Sequence, residues 1–517
     1  MKKRVIALSV TAALGSFVGA ANAQVPAGTD LVFTQNGVGH IVIVPYFSTQ
    51  GGNATLFNLV NTDEVNGKAV KIRFRGASNS DDIFDFQLFM SPGDVWTANI
   101  SRGADGRSRL ITADNSCTLP SKTILNTTPF ITSRLNPDLS DADKANETRE
   151  GYIEIFTMAD IPSSSVTSSV YAVTKHNTAG TASCTASVLE GLTQGDTRLV
   201  LPTRGLMANW TIINVPQTTT WSGDAPAIVA VDGTGTVGTG LNVFWPQTAT
   251  ALTPQQISDN TSDAAFLSGL VQAASYDLPD LSTPYTSGNA DPTLQANALS
   301  HALAVRKVAG EYLSDPTISA TTDWVVSMPT RRYYVAVDYS ATDPEDALLS
   351  TRLVDPNAVY FSKKGATVDG GFADGNAVMG NASNGGKSYQ ICVKVNSVKF
   401  YNREELSPSS SGIVVSPGQP TEPPSLCGEV SVVGINSPNS PLNASVARSN
   451  LSLPGGLVDG WGNLVADNVV SSVSLGLPLV VRQFVKATNP AVSAGVSGTF
   501  GATWAGRRLI AGTAWPN

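Results

Sequence analysis

The sequence predicts a mainly β fold, one or more β-sandwich domains carrying a short helical insertion around residues 254–313. Three observations point there. The chain is rich in turn and strand formers, with 46 glycines and 30 prolines in 517 residues and a surplus of Ser, Thr, Asn and Val. Short β-branched and aromatic runs recur between polar, turn-rich loops. Only the stretch Thr253 to Leu313 breaks that rhythm with helical spacing.

Taken in order, the chain opens on Met1-Lys2-Lys3-Arg4, an apolar run from Val5 to Val18, and Ala21-Asn22-Ala23. This is the basic, apolar, small-residue order of a secretory signal peptide over residues 1–23, cut before Gln24; an uncleaved anchor is the alternative. No later segment approaches the ~18 apolar residues of a membrane-spanning helix. Losing Lys2, Lys3 and Arg4 moves the formal net charge from −8 to −11. That acidity argues against nucleic acid as a partner and suits divalent cations. Length divides the rest into an N-terminal β-rich domain (24–250), a helical insertion (251–320) and a C-terminal β-rich domain (321–517).

His40-Ile-Val-Ile-Val-Pro-Tyr46 is a continuous β-branched run, suited to a strand covered on both faces. In Ala69 to Gly76 the apolar Val70, Ile72 and Phe74 alternate with Lys71, Arg73 and Arg75, the pattern of a half-buried strand. A Ser78-Asn79-Ser80 turn leads to its partner, where Phe84, Phe86 and Leu88 alternate with Asp85 and Gln87. Cationic and anionic outer faces should meet across this hairpin as a solvated sheet surface. Further strands are expected at Asp94–Ile100, Gly151–Met158, Leu199–Pro202, Trp210–Val215 and Ala227–Val231.

Asp291-Pro292 is a helix start, and Leu294, Ala298, Ala302, Ala309 and Leu313 recur at helical spacing beside Leu299 and Leu303. A weaker helix is expected around Ser262–Ser275. His301 falls among alanines and leucines, where packing explains it better than metal ligation. Strand patterns resume at Trp324–Met328, Arg332–Val337, Ala358–Ser362 and Tyr389–Val395, then at Leu479–Val485 and Thr499–Trp504.

The four cysteines, Cys117, Cys184, Cys392 and Cys427, form an even set in an exported chain, so disulfides are the expectation. Of three connectivities, Cys117–Cys184 with Cys392–Cys427 closes the smaller loops. The second bridge would tie together the ends of the proline-rich stretch Ser407–Leu426, which would then be a surface loop and not a linker. Zinc is disfavoured, with no Cys-x-x-Cys and only His40, His176 and His301 to help.

Motifs that carry chemistry are scarce. Gly233-Thr-Gly-Thr-Val-Gly238 matches a dinucleotide fingerprint in letters, but no helix follows, so a loop is expected. No phosphate-binding Gly-Lys-Ser/Thr loop, His-Glu-x-x-His or Gly-x-Ser-x-Gly occurs, and no catalytic residue is assigned; the chain reads as a non-enzyme. A pair of carboxylates brought together only in space, as glycoside cleavage needs, leaves no signature in sequence. Acidic loops remain: Asp81-Asp82 with Asp85; Asp138, Asp141 and Asp143; Asp343, Glu345 and Asp346; and Asp369 with Asp374. Clustered carboxylates on such loops can wrap calcium, and the alternative for each is a solvated acidic turn.

Two stretches go beyond pattern. Gly39-His-Ile-Val-Ile-Val-Pro-Tyr-Phe-Ser-Thr-Gln-Gly-Gly-Asn-Ala-Thr-Leu-Phe-Asn-Leu-Val-Asn-Thr-Asp63, continued by Lys71-Ile-Arg-Phe-Arg-Gly76 and Phe89-Met-Ser-Pro-Gly-Asp-Val-Trp96, resembles the surface-layer (S-layer) proteins of β-proteobacteria, including the nanopod type that sheathes outer-membrane vesicles. Thr322-Asp-Trp-Val-Val-Ser-Met-Pro-Thr-Arg-Arg-Tyr-Tyr334 is similar to a recurring segment of that family. The resemblance implies a secreted cell-surface subunit of the outer envelope, self-assembling into a lattice on the outer-membrane surface or its lipopolysaccharide, with no catalytic residues to carry over; calcium at the acidic loops, read from the carboxylates themselves, would make its contacts calcium-dependent. Two other classes stay open. An outer-membrane β-barrel shares the signal peptide and alternating strands. An adhesin or carbohydrate-binding module would use an exposed tryptophan, of which Trp461, between glycines, is the foremost candidate.

Overall fold

The computed structural model describes residues 25–193, 196–240, 292–350, 360–363, 375–404, 425–453, 457–466, 469–470, 473–493 and 496–509. The signal segment 1–23, the expected helix at Ser262–Ser275, and Asp369 and Asp374 lie outside these residues. So does nearly all of the proline-rich stretch.

The N-terminal half supplies β1 (Asp30–Thr34), β2 (Ile41–Ser48), β3 (Asn53–Asn61), β4 (Gly67–Gly76), β5 (Asp82–Met90), β6 (Val95–Arg102), β7 (Ser108–Ile111), β8 (Cys117–Leu119), β9 (Glu150–Ile161), β10 (Leu206–Asn214), β11 (Thr219–Asp224) and β12 (Ala227–Val231). They form two antiparallel sheets, a seven-stranded one in the order β1-β12-β2-β9-β4-β5-β8 and a five-stranded one in the order β11-β10-β3-β6-β7. Mainly β, sandwich-type architecture is therefore what the chain adopts. Sequence period explains which sheet lies where. In β3 and β10 burial alternates residue by residue, so one face of the five-stranded sheet meets solvent. In β2, β4, β5 and β9 every residue is buried, which makes the seven-stranded sheet a central layer.

Between the two sheets lies an aromatic cluster in which Phe84 stacks on Phe130 at 4.8 Å and Phe57 meets Trp96 edge-on at 5.3 Å. Such contacts add about 0.5–1.5 kcal/mol each beyond the area they bury.

The second β-region pairs Arg448–Leu451, Val430–Ile435, Thr321–Ser327, Val480–Ser493 and Val496–Ala505, in that spatial order, in one sheet. A four-stranded sheet runs Ser397–Asn402, Asp459–Val465, Lys307–Leu313, Arg507–Leu509. The described sheets are open, each with two edge strands, and are not closed into a barrel. One contiguous hydrophobic core runs from Leu31 in the first region to Phe484 in the second. At the junction Phe484 packs on Tyr46 at 5.9 Å and on Trp210 at 5.6 Å, and Trp221 Nε1 donates to Val485 O at 2.8 Å.

Three expectations need correction. The β4–β5 hairpin has the foreseen pairing of charges, with Arg73 opposite Asp85 and Arg75 opposite Asp82. It is not a solvated surface, however: Lys71, Arg73 and Arg75 are 2 %, 0 % and 1 % exposed because further layers cover that face. The helix begins at Pro292 as expected but stops at Leu303. Ala309 and Leu313 stand instead in the strand Lys307–Leu313, where Val308, Gly310 and Tyr312 are buried in strict alternation, a period of two that overrides the apparent helical spacing. Leu199–Pro202 makes only an isolated bridge, Val200 to Asp160. The Gly233–Gly238 motif is a turn, with Asp232 accepting from the Thr234 and Thr236 amides at 2.8 and 2.9 Å.

Candidate functional site

Both expected disulfides are present, Cys117–Cys184 with an S–S distance of 2.11 Å and Cys392–Cys427 with one of 2.05 Å. Cys392 and Cys427 face each other across neighbouring strands, so the ends of the proline-rich stretch are held together. Two bridges indicate an oxidising, extracytoplasmic environment. No helix among the described residues is long and apolar enough to cross a membrane.

The acidic clusters separate into two kinds. Asp138, Asp141 and Asp143 sit on an exposed loop and first helical turn; Ser140 caps the helix Asp141–Glu147 by accepting from the Asp143 amide, and acids in that turn complement the helix dipole. Asp81, Asp82 and Asp85 are buried and already engaged: Asp81 accepts from the Tyr339 hydroxyl at 2.9 Å, Asp82 lies 3.6 Å from Arg75, and Asp85 lies 2.8 Å from Lys71. Among the described residues no group of three or more His, Cys, Asp or Glu is arranged to hold a metal ion. His301 is exposed and not packed in the core as expected, with its Nδ1 3.3 Å from the Tyr360 hydroxyl.

What the fold builds from these acids is a layer of charge sealed between the seven-stranded sheet and the second β-region. Glu154, on β9, receives Arg75 Nε at 3.2 Å from β4 and Arg332 at 3.1 Å from the second region. Arg331, next to it, donates to Glu429 at 2.6 Å and to Ile391 O at 2.9 Å. Glu150 accepts from Tyr46, Gln50 and the Ser445 and Val446 amides, at 3.1, 2.9, 2.7 and 3.2 Å. Beyond the junction Lys68 meets Asp160 at 2.6 Å and Asp63 at 3.2 Å. Burial opposes ionisation of Glu154, yet the guanidiniums of Arg332, Arg75 and Arg73 outweigh it and hold this carboxyl below its ordinary range. A tandem arginine inside the apolar segment Met328–Val337 was the sequence signal for a buried counter-charge.

A small cleft opens at one end of this junction, lined by Asn79, Asp81, Asn136, Glu147, Tyr339 and Lys387 among others. It brings together two carboxylates that no sequence motif links. Burial, and then the Glu147 charge, push Asp81 up to about 7 against the pull of the Tyr339 hydroxyl. Burial pushes Glu147 up to about 7 against the ammonium of Lys387. Arg134 also draws on Asp81, so the two acids face two cations.

Trp461 is 39 % exposed, as its glycine neighbours suggested, and stacks on Tyr401 with centroids 4.5 Å apart and planes at 13°. No protein-family model, no curated protein and no solved structure matches the chain.

Proposed function

We propose that this chain is a non-catalytic structural subunit of the surface-layer, nanopod type, exported and self-assembling into a two-dimensional or tubular lattice outside the outer membrane. Anchorage would be to the outer-membrane surface or lipopolysaccharide, and the exposed acids Asp138, Asp141 and Asp143 are the described candidates for calcium between neighbours. One observation carries the reading: a shared core and the buried ion pair Arg332–Glu154 join the two β-regions into one body. A lattice needs the angle between a subunit's contact surfaces to be the same in every copy, and a joint of this kind provides it. The test is electron microscopy of the purified mature protein with calcium and with a chelator. Ordered sheets or tubes are expected; a protein monomeric at high concentration in every ionic condition refutes the proposal. Assembly that survives the chelator refutes the calcium part alone.

A second reading, a carbohydrate-binding module, is favoured by the exposed Trp461–Tyr401 pair, since aromatic faces stack on sugar rings. Glycan-array binding that is lost in Trp461→Ala would establish it.

A further inference from the structure

The outer face of the five-stranded sheet differs from an ordinary solvated β surface in having almost no charge. Strand register places its outward residues in cross-strand rows. The central row reads Ser222, Thr211, Leu56, Asn99, Ile111 from β11 to β7. On one side of it lie Asp224, Asn209, Asn58 and Thr97, and beyond them Met207, Val60 and Val95; on the other side lie Thr220, Ile213 and Ala54. Leu56, Val95 and Ile111 are 37 %, 48 % and 46 % exposed. In a chain of net charge −8 such an area is unusual, because solvated sheet faces ordinarily carry Lys and Glu.

Charge appears at two places on this face. Asp224 ends one row on the edge strand β11, and Arg109, outward on β7 two positions before Ile111, stands at the diagonally opposite corner.

We infer that this face is where two copies of the chain meet face to face, an inference that rests on the self-assembly reading above. Three features select a second copy as the occupant. Five strands at ~4.8 Å spacing and a length of ~25 Å give about 600 Å² per copy, or about 1,200 Å² for the pair, the lower edge of specific interfaces. A charge-free centre lets two acidic chains approach without like charges being buried. At the corners Arg109 is already paired with Asp105 at 3.2 Å and Asp224 lies 3.8 Å from Arg482, so each corner charge is offset within its own copy and two copies can close over the apolar centre. Leu56, Val60, Met207 and Val95 supply the apolar contact, and Asn58, Asn99 and Asn209 supply amides for cross-interface hydrogen bonds.

The experiment is sedimentation equilibrium of the mature full-length chain over a wide concentration range. The wild type is expected to dimerise or assemble further. Leu56→Asp should weaken association at least about a hundredfold, since it buries an unpaired carboxylate in each copy, while leaving the thermal midpoint unchanged. Thr97→Arg is the second variant should Leu56→Asp fold poorly. Val166→Asp, at an exposed position off this face, should associate like wild type. Wild-type association in Leu56→Asp and Thr97→Arg overturns the inference while leaving self-assembly standing. A wild type that never associates overturns both.

Discussion

Glu154→Gln is the sharpest probe of the joint between the two β-regions. The substitution keeps shape and volume and removes one negative charge. Arg332 loses the carboxylate 3.1 Å from its guanidinium, and Arg75 keeps Asp82 at 3.6 Å. Glu154, Arg75 and Arg332 are all buried, so water does not replace the lost carboxylate. Removing one member of a buried pair costs about 3–5 kcal/mol, because the cost is that of the charge left behind. Taking ~4 kcal/mol over a cooperative unit of roughly 400 residues at ~2.1 cal/mol/K each, the thermal midpoint should fall by about 5 °C. Arg332→Met should cost less than Glu154→Gln, since it leaves Glu154 paired with Arg75 at 3.2 Å. The assay is urea unfolding followed by tryptophan fluorescence, because Trp210 and Trp221 report on the first region and Trp324 on the second, all buried. A Glu154→Gln midpoint within ~1 kcal/mol of wild type would show that these charges are solvated or compensated elsewhere, and the sealed layer would be refuted.

Replacing Cys117 and Cys184 by serine, or Cys392 and Cys427, should each cost up to about 4 kcal/mol from the loop lengths of 67 and 35 residues, read as a lower urea midpoint; unchanged midpoints would mean the bridges constrain nothing in the unfolded chain. Asp81 and Glu147 titrate near 7 in the folded chain, above their ordinary 3.8 and 4.5, so the native state holds protons that the unfolded chain has released. Their contribution to stability is full below about pH 4 and lost as pH rises through about 7; urea midpoints of the wild type should fall from pH 5 to pH 8, and the Asp81→Asn/Glu147→Gln variant should show a smaller fall.

The legible parts of this fold are those in which local pattern and final environment agree. The continuous run Ile41–Val44 becomes a strand buried on both faces, and the even, widely spaced cysteines find the partners that close the shorter loops. What escapes is decided by distant chain. Lys71, Arg73 and Arg75 alternate with apolar residues just as a solvated strand does, and nothing within β4 announces that residues some 250 positions later cover them. Asp81 and Glu147 meet in one cleft only because the β4–β5 turn and a short helix reach the same end of the junction. The outer face of the five-stranded sheet was half visible: alternation in Leu206–Asn214 identifies its outward side, but the absence of charge emerges only when register sets five strands beside one another.

The buried charges also bear on what such a joint is for. Apolar packing between layers is non-directional and tolerates small rotations, whereas Arg332–Glu154 links positions 178 residues apart across the joint at fixed geometry. Ion pairs of this kind seldom add net stability over well-packed apolar residues, so their contribution is best sought in orientation. In a subunit that repeats across a lattice, an angular error at the joint is multiplied with every added copy. The double replacement Glu154→Met/Arg332→Met separates the two roles, because it removes both charges of the cross-region pair together and leaves Arg75 with Asp82 at 3.6 Å. It should hold its urea midpoint within ~2 kcal/mol of wild type, unlike Glu154→Gln. Sheets grown from it should lose long-range order in electron diffraction. If diffraction remains as sharp as wild type, the charges do not set the angle, and the apolar core from Leu31 to Phe484 suffices to define the subunit's shape.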